Sequence, residues 1–329
     1  MEGDSLIFFI VQQMMYFSIP LLVVALGGMF SERSGVVNIA LEGIMIIGAF
    51  TGVLFLFYAQ DHAGGGEAAL KIHPQAMLII ALLISATSGI IISLSHAYAS
   101  VQMKASQVIS GTAINMFAPA FAVYVARTIR TVQQVPFFNW FFIDSVPTLG
   151  NIPVIGALFF QRTYITTYIG FIILIVAWIV LYKTPFGLRL RACGEHPQAA
   201  DSVGINVYRM RYAGVMISGA LAGIGGLVFV VPTSITFDSS VAGYGFLALA
   251  VLIFGQWKPG RILFAAFFFG LMKTISVTYS SIPFLTALSI PSVVYKMIPF
   301  LATLIVLAFT SKRSMAPRAS GVPYDKGTR

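Results

Sequence analysis

The sequence has little charge, a single cysteine and no phosphate-binding glycine loop. Only 9% of its 329 residues are charged, against about 25% in an average soluble chain, which excludes a soluble globular protein and a disordered chain. The one cysteine, Cys193, cannot form an internal disulfide and is expected to be a free thiol. No G-x-x-x-x-G-K-[ST] pattern occurs, so the chain has no P-loop with which to hydrolyse ATP.

Apolar residues, in contrast, are abundant. They make up 58% of the chain, and the mean hydropathy is +0.89. The apolar runs are continuous rather than alternating, which favours membrane helices of about 20 residues over barrel strands. We therefore predict an all-α, polytopic transmembrane protein with about nine spans, in a range of eight to ten. The predicted spans are 6–30, 36–59, 76–98, 106–127, 164–183, 212–232, 241–256, 261–281 and 298–311.

Basic residues are concentrated in two stretches of the chain, whose net charge is +9. The stretch 183–211 carries a net +3 and the stretch 312–329 a net +4. The positive-inside rule places both in the cytoplasm and the N-terminus outside. We thus divide the chain into a transmembrane domain at 1–311, with a cytoplasmic loop at 184–211, and a basic cytoplasmic tail at 312–329. This distribution argues against nucleic acid as a partner.

Two segments depart from a simple series of spans. The stretch 128–163 falls outside by this topology, and its aromatic residues are typical of a segment lying in the membrane interface. An extra re-entrant pair in this stretch would also keep the topology. The run 241–256 has only 16 residues, or about 24 Å of helix, against a hydrocarbon core of about 30 Å. It predicts a broken or half-crossing helix of the kind that lines transporter paths.

Polar residues inside the spans are candidates for a solute path. Glu42 lies within an apolar run, where a carboxylate is costly and is by default a functional hypothesis. The alternative is a structural hydrogen-bond partner for a neighbouring helix, and the polar residues of 106–115 carry the same two interpretations. The predicted path residues are Asn38, Glu42, Gln107, Ser110 and Asn115.

Small residues predict close helix packing in the span 212–232. Gly219, Gly223 and Gly226 belong to overlapping small-xxx-small patterns, which let helix backbones approach one another in lipid. The four histidines show no metal-ligand spacing, and the chain has neither a nucleophile elbow nor an acid–base dyad within a span. We therefore expect no metal site, no cofactor and no enzymatic activity.

The stretch 184–211 predicts a short, capped helix. Pro197 suits its first turn, Gly204 suits its end, and Ala199, Ala200 and Val203 give it a small apolar face. A helix of two turns is marginal in water by itself. It would be stabilised either by docking on a partner protein or by packing on its own membrane domain.

The stretch 191–206 resembles the cytoplasmic loop of membrane permeases in ATP-binding-cassette importers. The family handles branched-chain amino acids, simple sugars and nucleosides. The Glu-Arg-Ser-Gly of 32–35 and the Glu-Gly of 42–43 resemble its nucleoside and simple-sugar branch more than its amino-acid branch. One departure lies at 256–259, where Gln-Trp-Lys-Pro replaces an expected Lys-Trp-Asn-Pro. Further blocks in family order are 31–43, 109–115, 217–226, 243–250 and 253–259.

The resemblance implies a heteromeric importer in the bacterial cell (inner) membrane. Its other parts would be a second, homologous permease, an ATPase that binds the ATP, and an extracytoplasmic substrate-binding (lipo)protein. The solute would be a nucleoside, with a purine nucleoside as the family's expectation, or a simple sugar. An ion-coupled secondary transporter and a non-transport scaffold are the alternatives. Coupling to the ATPase is expected from Glu195, His196, Pro197, Ala199, Ala200 and Gly204.

Overall fold

The computed structural model describes residues 3–62, 73–147, 150, 152–153, 155–288, 290–310 and 315–327. These residues fold mainly into helices, because in hydrocarbon each backbone group must be paired within its own segment. A π-helical turn, Tyr98–Gln102, directly follows the helix Pro74–Ala97. The helices are α1 (Gly3–Ser34), α2 (Leu41–His62), α3 (Pro74–Ala97), α4 (Gln107–Arg130), α5 (Ile155–Phe159), α6 (Ile165–Lys183), α7 (Pro185–Glu195), α8 (Pro197–Ser202), α9 (Val207–Thr233), α10 (Tyr244–Phe254), α11 (Pro259–Thr278), α12 (Pro283–Ala287) and α13 (Ser292–Thr310).

The helices confirm a polytopic helical membrane protein. Among the described residues, seven helices are long and apolar enough to cross a membrane, and two shorter apolar segments, Tyr244–Phe254 and Ser292–Ile305, accompany them. Each of the nine predicted spans therefore corresponds to an apolar helix. Helix α10 has 11 residues, or about 16 Å, so it is too short to cross, as the run 241–256 predicted. Part of the loop predicted at 60–75 lies outside the described residues, at 63–72.

Helix α9 forms the centre of the bundle and packs against α1, α2 and α3. Glycines allow this packing, because a Cβ at Gly48 of α2 would collide with the backbone of Gly223. A Cβ at Gly89 of α3 would collide with the carbonyl of Gly219. Helix α4 lies at the periphery, where Met116 is 77% exposed. The bundle thus has a tightly packed centre and an apolar outer surface.

The second predicted span starts later than expected. Helix α2 begins at Leu41 rather than at 36, because residues 35–40, here called the first break, are not helical. In the first break, hydrogen bonds from side chains of other helices take the place of helical backbone hydrogen bonds. A Cβ at Gly214 of α9 would touch Ser34, whereas a Cβ at Gly226 would touch Met45. Those glycines are 12 residues apart on one helix, or about 18 Å, so the first break carries the chain deep into the bundle.

The segment after α4 covers the opposite end of the bundle. It contains two antiparallel pairs of short strands, β1 (Val135–Pro136) with β4 (Thr236–Phe237) and β2 (Phe142–Ser145) with β3 (Gln161–Tyr164). Gln60 of α2 bonds both backbone groups of Phe138, at 2.8 and 2.9 Å. The helix within this segment, α5, has only five residues. The described part of 128–163 therefore holds short strands and not the re-entrant helix pair that the sequence allowed.

Candidate functional site

The first break is held by side chains from α3 and α4. The backbone N–H of Val37 donates to Gln107 Oε1 at 2.7 Å, and its carbonyl lies 3.0 Å from His96 Nε2. The other ring nitrogen of His96 lies 2.9 Å from the hydroxyl of Ser110. Gln107 and Ser110, predicted to line a path, thus fix Val37 directly and through His96. His96 was absent from the predicted set, and its signal was a histidine near the end of an apolar run.

Two asparagines hold the rest of the first break. Asn38 donates to the hydroxyl of Ser218 at 2.9 Å and accepts from the N–H of Ala40 at 3.1 Å. Asn115 donates to the carbonyl of Ile39 and accepts from the N–H of Gly43, each at 2.8 Å. These contacts replace the backbone hydrogen bonds that a continuous helix would have made. Through Asn115, α4 is bonded to the first break and to the start of α2, which carries Glu42.

Glu42 caps the short helix α10. Its two carboxylate oxygens accept from the N–H of Gly243 at 2.9 Å and from the N–H of Gly245 at 2.6 Å. The first N–H groups of a helix have no partner within it and carry partial positive charge, so a carboxylate there is stabilising. Glu42 is 8% exposed. Residues 238–243, which lead into α10, are here called the second break.

The signature Glu32-Arg33 links α1 to two other elements. Glu32 accepts from the indole N–H of Trp257 at 2.6 Å, and Arg33 donates to the carbonyl of Trp257 at 3.1 Å. Arg33 also pairs with Glu195 of α7 at 3.5 Å. Trp257 lies in the tight turn between α10 and α11, where it and Gln256 have positive φ values of 53° and 51°. The turn that follows α10 is therefore connected through α1 to the predicted coupling region.

Helices α7 and α8 lie at the same end of the bundle as this turn. Helix α8 begins with Pro197 and is followed by Gly204 at φ +84°, matching the predicted short capped helix. Ala200 is 3% exposed and packs with Cys193, Val207 and Tyr324, whereas Ala199 is exposed. The outward apolar face of α8 is thus formed by Ala199 and Val203, which is 75% exposed. Ala200 packs against the chain's own core, and His196 is exposed.

The C-terminal segment 315–327 folds against this end of the bundle. The N–H of Gly321 donates to the carbonyl of Gly35 at 3.2 Å, and the N–H of Ala319 donates to the carbonyl of Gly194 at 2.8 Å. Arg211 of α9 donates to the carbonyl of Val322 at 2.9 Å. The predicted tail 312–329 is therefore, in its described part, a packed element that touches both the first break and α7. Lys312, Arg313 and Arg329 lie outside the described residues.

Cys193 is a free thiol within this packed region. It is completely buried, and burial raises the pKa of the thiol to about 11. A thiol that stays protonated at neutral pH is a poor nucleophile. Among the described residues, no three His, Cys, Asp or Glu side chains lie close enough together to hold a metal ion.

The predicted packing glycines of α9 lie against backbone atoms of neighbouring helices. A Cβ at Gly219 would collide with Ser93 and with the carbonyl of Gly89, both in α3. A Cβ at Gly223 would collide with the carbonyl of Ser85, and one at Gly226 with the carbonyl of Met45. Backbone atoms cannot rotate aside as side chains can, so any side chain at these positions must push whole helices apart.

Lys273 of α11 is an ionisable residue that sequence reasoning missed. It is half-buried beside Tyr244, with its Nζ 5.9 Å from the centre of the Tyr244 ring. The signal was a single lysine inside the apolar run 261–281. The rule that singled out Glu42 applies to it as well, because a charge within a span is by default a functional hypothesis.

The known proteins that this chain resembles are transport permeases. The family described as branched-chain amino acid transport system / permease component matches residues 10–308. The guanosine ABC transporter permease protein NupQ of Bacillus subtilis (strain 168) is 43% identical over the whole of both chains. The nucleoside ABC transporter permease protein NupC of Lactococcus lactis subsp. cremoris (strain MG1363) is 41% identical over 96% of each chain. The putative glucose ABC transporter permease protein TsgC13 of Haloferax volcanii is 28% identical over 80% of this chain and 75% of its own. No solved structure matches the chain significantly.

Proposed function

Because the chain belongs to the family of permease components of branched-chain amino acid transport systems, we propose that it is the membrane permease subunit of an ATP-binding-cassette importer of nucleosides. The observation that carries this proposal is the similarity, over nearly the whole chain, to two permeases whose names specify nucleosides. The relative named for glucose is less identical and covers less of the chain. Nucleosides are therefore favoured over sugars as the solute.

The test is uptake by a strain that lacks this permease. Expression of the chain should restore uptake of labelled guanosine, adenosine or cytidine and leave uptake of labelled glucose and ribose at the background level. A strain that regains sugar uptake and no nucleoside uptake would overturn the proposed substrate class.

The ATPase is proposed to dock on α8. The chain has no P-loop, so the energy for import must arrive through contact with another protein. Ala199 and Val203 form an exposed apolar face on α8. Helix α8 directly follows α7, and the ion pair Arg33–Glu195 connects α7 to α1. In this arrangement the end with α7, α8 and the C-terminal segment faces the cytoplasm, and the N-terminus faces outward. A second, homologous permease and an extracytoplasmic binding (lipo)protein complete the proposed importer.

Cysteine crosslinking tests this docking, since the native Cys193 is buried and will react slowly. Val203→Cys should crosslink to the ATPase subunit in the assembled complex. Ile152→Cys, exposed in the segment at the opposite end of the bundle, is the matched control and should not crosslink to it. A Val203→Cys variant labelled only from the extracytoplasmic side would contradict both the docking site and the orientation.

The five predicted path residues are proposed to support the solute path. Asn38, Glu42, Gln107, Ser110 and Asn115 each bond to another part of the chain. We assign them the role of positioning the first break and α10 beside the solute, rather than of binding it directly.

A further inference from the structure

A cavity lies between α10, α11 and α13, next to the second break. Its volume is about 390 Å³, within the range of about 300–1,000 Å³ that is usual for small-molecule sites. Aromatic and polar side chains share its lining, which includes Tyr244, Phe246, Lys273, Phe300 and Thr303. It is thus large enough for a small solute, and its mainly apolar wall carries a few polar groups, as small-molecule sites usually do.

Two polar groups of this cavity lack partners among the described residues. The hydroxyl of Tyr244, a residue only 1% exposed, makes no hydrogen bond. The ammonium of Lys273 is in none of the ion pairs of the described chain, and its nearest aromatic contact is the ring of Tyr244. Buried polar groups without partners are costly. The first N–H groups of α10 are already bound by Glu42, so the unsatisfied groups of the cavity are side chains.

We propose that this cavity binds the base of a 6-oxopurine nucleoside, with Lys273 donating hydrogen bonds to O6 and N7. The inference rests on the proposed import of nucleosides. A lysine ammonium has three donors and no acceptor, and guanine presents two acceptors, O6 and N7, on one edge. Adenine presents an amino donor in place of O6 and matches an ammonium less well. Phe246 and Phe300 offer rings on which a base can stack.

Protection of an introduced thiol tests occupancy of the cavity. Thr303→Cys places a thiol in its wall, and Cys193 is buried. In membranes containing the assembled complex, free guanosine should protect this thiol from a maleimide at roughly tenfold lower concentration than adenosine, as expected for one bidentate contact. Absence of protection, or equal protection by the two nucleosides, would overturn the proposal.

The role of Lys273 is tested by Lys273→Met, which keeps the length of the side chain and removes its donors. In the Thr303→Cys background this change should abolish the difference between guanosine and adenosine. Lys296→Met, on the exposed side of α13, is the matched control and should preserve the difference. If Lys273→Met retains the preference for guanosine, Lys273 does not read the base and the proposal fails. Failure of the proposed function is separate, because it would appear as no nucleoside uptake by the unaltered chain.

Discussion

The two breaks in the helical bundle lie side by side, joined through Glu42, and they are built differently. The first break takes hydrogen bonds from His96, Gln107 and Asn115, which belong to two other helices. At the second break, the start of α10 is bound by one carboxylate, that of Glu42. The first is therefore anchored from several directions. At the second, Glu42 bonds the start of α10 from another helix, and the N–H of Ala242 donates locally to the hydroxyl of Ser240.

Backbone conformation shows the same contrast. Within the first break, positive φ occurs at Gly35, where a glycine accommodates it without cost. Within the second, Ser239 and Ala242 have φ values of 57° and 52°, a region that side chains make unfavourable. The second break is thus strained and lies beside unpaired polar groups at Tyr244 and Lys273. We infer that the first break is a fixed support and that α10 is the element able to shift when solute binds.

The largest effect is expected from removing the packing beneath the first break. Gly223→Leu would force α9 and α3 apart, because a Cβ at Gly223 alone already collides with the carbonyl of Ser85. We expect no folded protein from Gly223→Leu and a reduced yield from Gly223→Ala, measured as monodisperse protein in mild detergent. Gly260→Leu is the control, since a Cβ there meets nothing within 4 Å. A wild-type yield for Gly223→Leu would show that α9 does not pack this way.

The next largest effect, on uptake, is expected from removing the carboxylate of Glu42 that caps α10. Glu42→Ala leaves the N–H groups of Gly243 and Gly245 without their acceptor, and each bond to a charged group contributes about 1.5–3 kcal/mol. Uptake should therefore be lost, while the amount of membrane protein stays near normal because the first break is intact. Glu42→Gln keeps one acceptor oxygen and should retain part of the uptake. Normal uptake by both variants would rule out a role for this cap in transport.

A smaller loss of uptake is expected from a change within the first break, because several hydrogen bonds hold this segment in place. Asn115→Leu removes the partners of Ile39 and Gly43, at about 1–3 kcal/mol for each buried group left unpaired. The melting temperature in detergent should fall, and uptake should fall less than in Glu42→Ala. Thr112→Val is the control, because the Thr112 hydroxyl bonds only to carbonyls of its own helix. Equal melting temperatures for Asn115→Leu and Thr112→Val would mean that Asn115 does not support the break.

Much of this architecture follows from local composition. Apolar runs mark the nine apolar helices of the described residues, and the short run 241–256 predicts the incomplete helix α10. Glu42 and Asn115 stand out because they are polar residues in apolar runs. The close contacts of Gly219 and Gly223 are likewise expected from small residues at helical spacing, which permit helices to approach.

The rest depends on tertiary partners that a single sequence does not display. Residues 36–40 are apolar enough to continue α2, and they leave the helix because side chains distant in sequence bind their backbone. Burial of Ala200 depends on the C-terminal segment, whose basic composition indicates only topology. The role proposed for Lys273 depends on a cavity that three helices form together.

The smallest effect is expected from the outermost support of the first break, the C-terminal segment that reaches Gly35. Lys104 pairs with Asp325 at 2.8 Å, lowering the pKa of Asp325 and raising that of Lys104. The pair therefore contributes above the ordinary aspartate pKa of about 3.9 and below the ordinary lysine pKa of about 10.4. It is lost as pH falls through the lowered value or rises through the raised one. Both groups are solvent-exposed, so the contribution is small and screened by salt.

Limited proteolysis of the C-terminal segment measures this contribution. Cleavage should be slow and constant between about pH 5 and 9, and should accelerate modestly below about pH 4 as Asp325 becomes protonated. Asp325→Asn should cleave at the faster rate at every pH and import solute normally, because Gly321 and Ala319 still bond to the bundle through their backbones. Lys326, whose pair with Asp201 is longer at 3.5 Å, provides the control variant Lys326→Gln. If Asp325→Asn instead abolished uptake, the C-terminal segment would be as essential to the first break as Asn115, and the ranking of supports proposed for the two breaks would be wrong.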